Sequence, residues 1–156
     1  EGVTLTRRST PAQRETARQY LLAELRAAGL DADLHAYATG QNVRARLPAT
    51  TGAAASRIVV GAHYDGVPAG PAAADDGTGV ALVLVAARYL SRQARRDHPS
   101  FLSRGFAATG VGEEFVGDDH TPHYHRATDT WNRVDFDYLA RTTRLALAVL
   151  ADRAVD

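Results

Sequence analysis

His63 and Asp65 stand two residues apart in IVVGAHYDGV, and the pair Asp75-Asp76 follows ten residues later in AAADDGTGV. An imidazole and several carboxylates are the ligand set that suits a zinc ion. Two further groups have the same character: Asp97-His98, and the segment PHYHRATDT with His123, Tyr124, His125 and Asp129. Each group falls at or just beyond an expected strand or at a helix start, where an α/β protein brings side chains from neighbouring loops together. Simpler roles exist for each group on its own. A His-x-Asp pair also serves as a surface hydrogen-bonded pair, and Asp75 and Asp76 also suit the N-terminus of a helix at Thr78. His120 and His123 read as solvated loop residues. The four groups in one order in one small chain favour a metal site.

The elements that must position these groups follow from periodicity and punctuation. Residues 11–30 predict a helix, with Thr10 as N-cap, Pro11 at the first helical position and Gly29 as terminator. Ala17, Leu21, Leu22, Leu25 and Ala28 recur at helical spacing and give it one apolar face. Strands are expected over 32–37 and 42–47, joined through Thr39-Gly40. Val43, Ala45 and Leu47 alternate with Arg44 and Arg46, so one face is wet. Residues 58–62 are a short, largely β-branched run without polar alternation, which reads as a buried central strand. A second helix is predicted over 78–93, with Val80, Ala81, Val83, Leu84, Ala87 and Leu90 on its apolar side. A short helix to Arg104, a strand over 106–111 and a long acidic loop over 112–124 follow. A last helix opens at Asp135 and carries Leu139, Leu145, Leu147, Val149 and Leu150. With no repeat and no domain-sized linker, residues 1–156 read as one domain. Helices alternating with strands predict a three-layer α/β/α domain with a mixed sheet.

The 156 residues, 45% of them hydrophobic, suffice for one core. Eighteen basic and 18 acidic residues cancel, so no long-range field selects nucleic acid or an anionic membrane. Every basic residue is arginine, which with the abundant alanine reads as coding bias rather than as a recognition surface. Cysteine is absent, which excludes disulfides and thiolate ligands. No stretch approaches the roughly 20 apolar residues of a membrane span. The chain begins at Glu1 rather than at methionine, which reads as a processed or an artificially cut form, from which any targeting segment would already be gone.

On IVVGAHYDGV, AAADDGTGV with the helix ALVLVAARYL, DHPSFLSRGFAATGV, and PHYHRATDTWNRVDFDYLARTTRLAL, the chain resembles the co-catalytic di-zinc aminopeptidase family. This is the group of bacterial leucyl-type aminopeptidases related to glutamate carboxypeptidase and glutaminyl cyclase. The resemblance implies a shortened zinc-peptidase-like α/β fold with a mixed, mostly parallel sheet. It also implies zinc, two ions in the family and one or two here, a peptide substrate, and an extracellular or periplasmic location. His63 would then be a ligand of one zinc, Asp75 the carboxylate bridging both, Asp97 the other ligand of the first ion and His125 a ligand of the second. Asp65 would hold His63 in one tautomer, Tyr124 would hydrogen-bond the oxyanion, and Asp129 and Thr130 would orient the His125 loop. A cis peptide is implied between Asp75 and Asp76.

The family carries a Glu-Glu motif, general base then zinc ligand, between the bridging Asp and the later Asp. Here the helix expected to end at Gln93 runs almost at once into ARRDHPSF. The first ion keeps His63, Asp75 and Asp97, whereas the second keeps Asp75 and His125. GFAATGVGEEFVG has the texture and spacing of the missing motif, with Glu113 as base and Glu114 as ligand. The same stretch also matches the family's later segment, on which Glu113 and Glu114 are loop acids, and its continuation into GDDHTPHYHRATDT supports that alignment. The functional expectation is a zinc-dependent aminopeptidase using a metal-activated water. The alternatives are a non-catalytic member keeping the fold and a partial metal site, and glutaminyl cyclase-like chemistry. Trp131 reads as packing under the last helix, with the pocket wall as its other place.

Overall fold

Thr10 turns the chain into the first helix, α1 (Pro11–Ala27), from an extended backbone conformation. Its hydroxyl accepts from the Gln13 amide at 3.3 Å, and the Gln13 side chain accepts from the Thr10 amide at 3.1 Å. This reciprocal cap satisfies two amides that the first turn leaves without partners. Pro11 occupies the first turn as expected. The helix stops at Ala27, short of residue 30, because Gly29 adopts φ 82° and the Leu30 amide bonds back to the Leu25 carbonyl. In this computed structural model the described residues are 5, 7–47, 58–94 and 122–155.

Ala17, Leu21, Leu22 and Leu25 form the buried face of α1. Leu22 and Leu25 meet Ala32 of a hairpin made of β1 (Asp31–Tyr37) and β2 (Gly40–Arg46). The pairing is antiparallel, with Asp31 opposite Arg46 and Tyr37 opposite Gly40, so the turn falls on Ala38-Thr39. Leu34 and Val43, an opposed pair, join Ala45 and Leu30 against the α1 leucines. On the other face Asp33 accepts two hydrogen bonds from Arg44, at 2.9 and 2.7 Å. That contact holds the Asp33 carboxyl below its ordinary pKa. A second helix, α2 (Gly79–Ala94), adds Leu84 and Ala87 to the core and joins α1 through an Arg88–Glu24 ion pair. The last helix, α3 (Phe136–Val155), opens at Asp135, whose carboxylate accepts from the Tyr138 amide at 2.9 Å.

The described residues form a mixed α/β structure whose one sheet is this two-stranded antiparallel hairpin. They do not form the expected three-layer arrangement around a mostly parallel sheet. Residues 58–62 take no part in a strand ladder, and Val59 is 74% exposed. A central strand is buried by neighbours on both edges and helices on both faces, and no described strand lies beside this one. Trp131 stands in a single 3₁₀ turn, Trp131–Arg133, and is 73% exposed, not packed under α3 as expected from the sequence. The expected short helix to Arg104, the strand over 106–111 and loop residues 112–121 lie outside the described residues. No described helix is long and apolar enough to cross a membrane.

Candidate metal centre

Around His63 the side chains alternate between solvent and interior, as extended backbone dictates. His63 and Asp65 face out, while Tyr64 between them turns inward. The Tyr64 hydroxyl donates to the Gln41 carbonyl of β2 at 2.6 Å and accepts from Arg18 of α1 at 3.1 Å. The residue between the two chemical groups thus anchors them to the hairpin and to α1.

The second segment begins at Gly70. A Cβ at this buried glycine would lie 2.0 Å from the Arg126 carbonyl oxygen, so the close approach of the 122–130 loop requires glycine. The backbone then enters a widened helical turn, Ala73–Thr78, within which Asp75 and Asp76 depart from helical geometry and are joined by a cis peptide. The two acids have separate tasks. Asp76 caps α2, accepting from the Gly79 amide at 3.0 Å, and burial raises its pKa against that bond. Asp75 instead presents its carboxylate to two histidines, so the capping role open to both acids belongs to Asp76.

Asp75 Oδ1 lies 2.9 Å from His63 Nε2, and its Oδ2 lies 3.0 Å from His125 Nε2. The other ring nitrogen of His63 is 3.1 Å from Asp65 Oδ1. Burial opposes charge on His63, but the hydrogen bonds to Asp75 and Asp65 outweigh it and its pKa is raised. His125 reaches Asp75 from a left-handed backbone conformation, φ 56°, and the Tyr124 ring stacks on its imidazole with centroids 3.9 Å apart. The His125 loop is tied to the Asp75 turn by Asp129, which is 3% exposed. The Asp129 carboxylate accepts from the Ala74 amide at 2.9 Å and the Asp75 amide at 3.3 Å.

An imidazole on each carboxylate oxygen is chemistry that suits zinc. Two donors held about 2 Å from a tetrahedral ion are about 3.3 Å apart, close to the two separations around Asp75. Each oxygen of Asp75 has its own imidazole. Among the described residues no group of three or more His, Asp or Glu is placed to hold one ion. The further candidate donors, Asp97 and Glu114, and the candidate base Glu113 lie outside the described residues.

Residues 42–96 match the family model for peptidase family M28. That span is 55 of the 156 residues, and over it the chain is similar to peptidase family M28. The M28 match contains His63, Asp65, Asp75 and Asp76 and ends one residue before Asp97. M28 proteins are generally zinc-dependent peptidases, so hydrolase and metalloprotease describe the class that this segment resembles. Comparisons with curated proteins and with solved structures find no match.

One residue beside this cluster carries no sequence signal. Arg8 is 6% exposed and donates from Nε to the Tyr64 carbonyl at 2.7 Å, and from its two terminal nitrogens to the carbonyls of Pro71 at 3.1 Å and Ala72 at 2.6 Å. Burial lowers its pKa from the usual arginine value, and Asp129, Asp65, Asp76 and Asp75 oppose the shift. The all-arginine composition hides this position among 17 other arginines.

Proposed function

We propose that the chain is a zinc-dependent aminopeptidase, removing N-terminal residues from peptides in an extracellular or periplasmic setting. The observation that supports this most is the Asp75 carboxylate, divided between His63 at 2.9 Å and His125 at 3.0 Å. His63, Asp75 and His125 would hold the metal, with Asp97 as a further donor. Zinc, when bound, lowers the pKa of a coordinated water to about 7 and polarises a carbonyl. The chain's own groups do the remaining work. Asp65 accepts the Nδ1–H of His63 and so leaves Nε2 as the donor atom. Asp129 fixes the backbone on which Asp75 is carried. Tyr124, stacked on His125, offers its phenol to the oxygen on which charge develops.

Of the glutamates Glu1, Glu15, Glu24, Glu113 and Glu114, only the last two follow Asp75. Where Glu113 and Glu114 stand in for the family's Glu-Glu pair, Glu113 accepts the proton of the water and passes it to the leaving amine and Glu114 is a ligand; on the later alignment, which the continuation into GDDHTPHYHRATDT supports, both are loop acids. A shortened three-layer fold with a mostly parallel sheet belongs to the same proposal.

A second reading, a member that binds metal without turnover, is favoured by the absence of any acidic residue between Asp76 and Asp97. That is where the family's Glu-Glu pair stands. Hydrolysis of aminoacyl anilides by the zinc-loaded protein decides between the two. Turnover that disappears in Glu113→Gln while zinc is retained supports the aminopeptidase; zinc binding without turnover supports the second reading.

A further inference from the structure

Arg8 touches two of the three ligand-bearing segments, those of His63 and of Asp75. Its side chain and main chain bracket Asp65: Nε donates to the Tyr64 carbonyl at 2.7 Å, while the Arg8 carbonyl accepts from the Gly66 amide at 3.2 Å. Its terminal nitrogens hold the carbonyls of Pro71 and Ala72, at 3.1 and 2.6 Å, immediately before the turn that carries Asp75. Ala72 is itself in a left-handed conformation, φ 57°, which an alanine adopts only where surrounding bonds impose it. Asp129 takes the amides of Ala74 and Asp75 on the next stretch of the same turn. Arginine and aspartate therefore grip successive peptide groups, one through their carbonyls and the other through their amides.

We infer that Arg8 is a positioning residue of the metal centre, setting the separation of His63 from Asp75 by fastening the 64–66 and 71–72 backbones to one guanidinium. The inference rests on the reading of His63 and Asp75 as metal donors. It has a chemical consequence that separates geometry from charge. A guanidinium directs five N–H donors in a fixed plane and reaches three carbonyls at once, whereas an ammonium is a compact point charge on a flexible stem. Lysine at position 8 would keep the cation facing Asp129, Asp65, Asp76 and Asp75 but not the three-carbonyl grip. A role through charge alone is rescued by Arg8→Lys; a role through the fan of bonds is not.

Zinc affinity, measured by competition with a chromophoric chelator, tests this in the unsubstituted protein, Arg8→Lys and Arg8→Gln. Far-ultraviolet circular dichroism of each protein without zinc is the accompanying measurement. The expected result is a native helical spectrum in Arg8→Lys with zinc bound roughly 10- to 100-fold more weakly, the range found when groups that orient metal ligands are removed. Arg8→Gln is expected to fall at least as far. Unchanged zinc affinity in Arg8→Lys would overturn the positioning role. Loss of the helical spectrum in both variants would also overturn it, by assigning Arg8 to folding at large. Failure of the unsubstituted protein to bind zinc would overturn the metal reading itself, and with it the role of Arg8.

Discussion

Replacing Asp129 by asparagine keeps the side chain's shape and removes one of its two acceptors. The carboxylate is 3% exposed and accepts from two backbone amides, Ala74 at 2.9 Å and Asp75 at 3.3 Å. Asparagine can offer its oxygen to one amide only, and its NH₂ group then faces the other, donor against donor. A hydrogen bond to a charged group contributes about 1.5–3 kcal/mol, and a buried amide left without a partner costs about 1–3 kcal/mol. These descriptions overlap and are not summed, so Asp129→Asn is expected to destabilise the fold by about 1–3 kcal/mol. With a urea dependence of about 2 kcal/mol per molar, the unfolding midpoint falls by about 0.5–1.5 M. Because the lost bond supports the Asp75 amide, zinc affinity should fall together with stability. A midpoint within about 0.2 M of the unsubstituted protein, read by circular dichroism, would refute the reasoning.

Gly70→Ala places a Cβ 2.0 Å from the Arg126 carbonyl oxygen, so the His125 loop must move away from Asp75. Overpacking of this kind costs about 1–3 kcal/mol, and weaker zinc binding with a lowered urea midpoint is the expected outcome. Thr10→Ala removes the hydroxyl that accepts from the Gln13 amide at 3.3 Å. A loss of about 1 kcal/mol is expected, with zinc affinity unchanged, because the cap does not touch the centre. Tyr124→Phe keeps the ring stacked on His125 and deletes the phenol. In the aminopeptidase reading, kcat on an aminoacyl anilide drops by about 100- to 1,000-fold while zinc is retained.

The candidate centre was legible where side-chain type carries the chemistry. His63, Asp65, Asp75 and His125 are recognisable from identity and spacing, and the structure brings all four together through contacts of 2.9–3.1 Å. Arg8 was not legible, because its partners are backbone carbonyls 56 to 64 residues away and a carbonyl leaves no trace in residue identity. Asp75 and Asp76 looked equivalent as caps; the departure of this turn from helical geometry separates them, and a run of small residues does not encode that. The helices fared better. Thr10, Pro11 and Gly29 mark α1 by local chemistry, and the apolar spacing from Val80 to Leu90 marks α2. The run over 58–62 shows the limit of local reading: β-branched residues permit a strand, but a ladder needs a neighbour from elsewhere in the chain.

The central claim is that one carboxylate, Asp75, serves both histidines. Counting zinc per chain by elemental analysis after equilibration and desalting tests it most directly, across the unsubstituted protein, His63→Ala, His125→Ala and Asp75→Asn. Two ions are expected in the unsubstituted protein, one fewer after either histidine substitution, and none in Asp75→Asn. Full zinc occupancy in a folded Asp75→Asn protein would contradict the account.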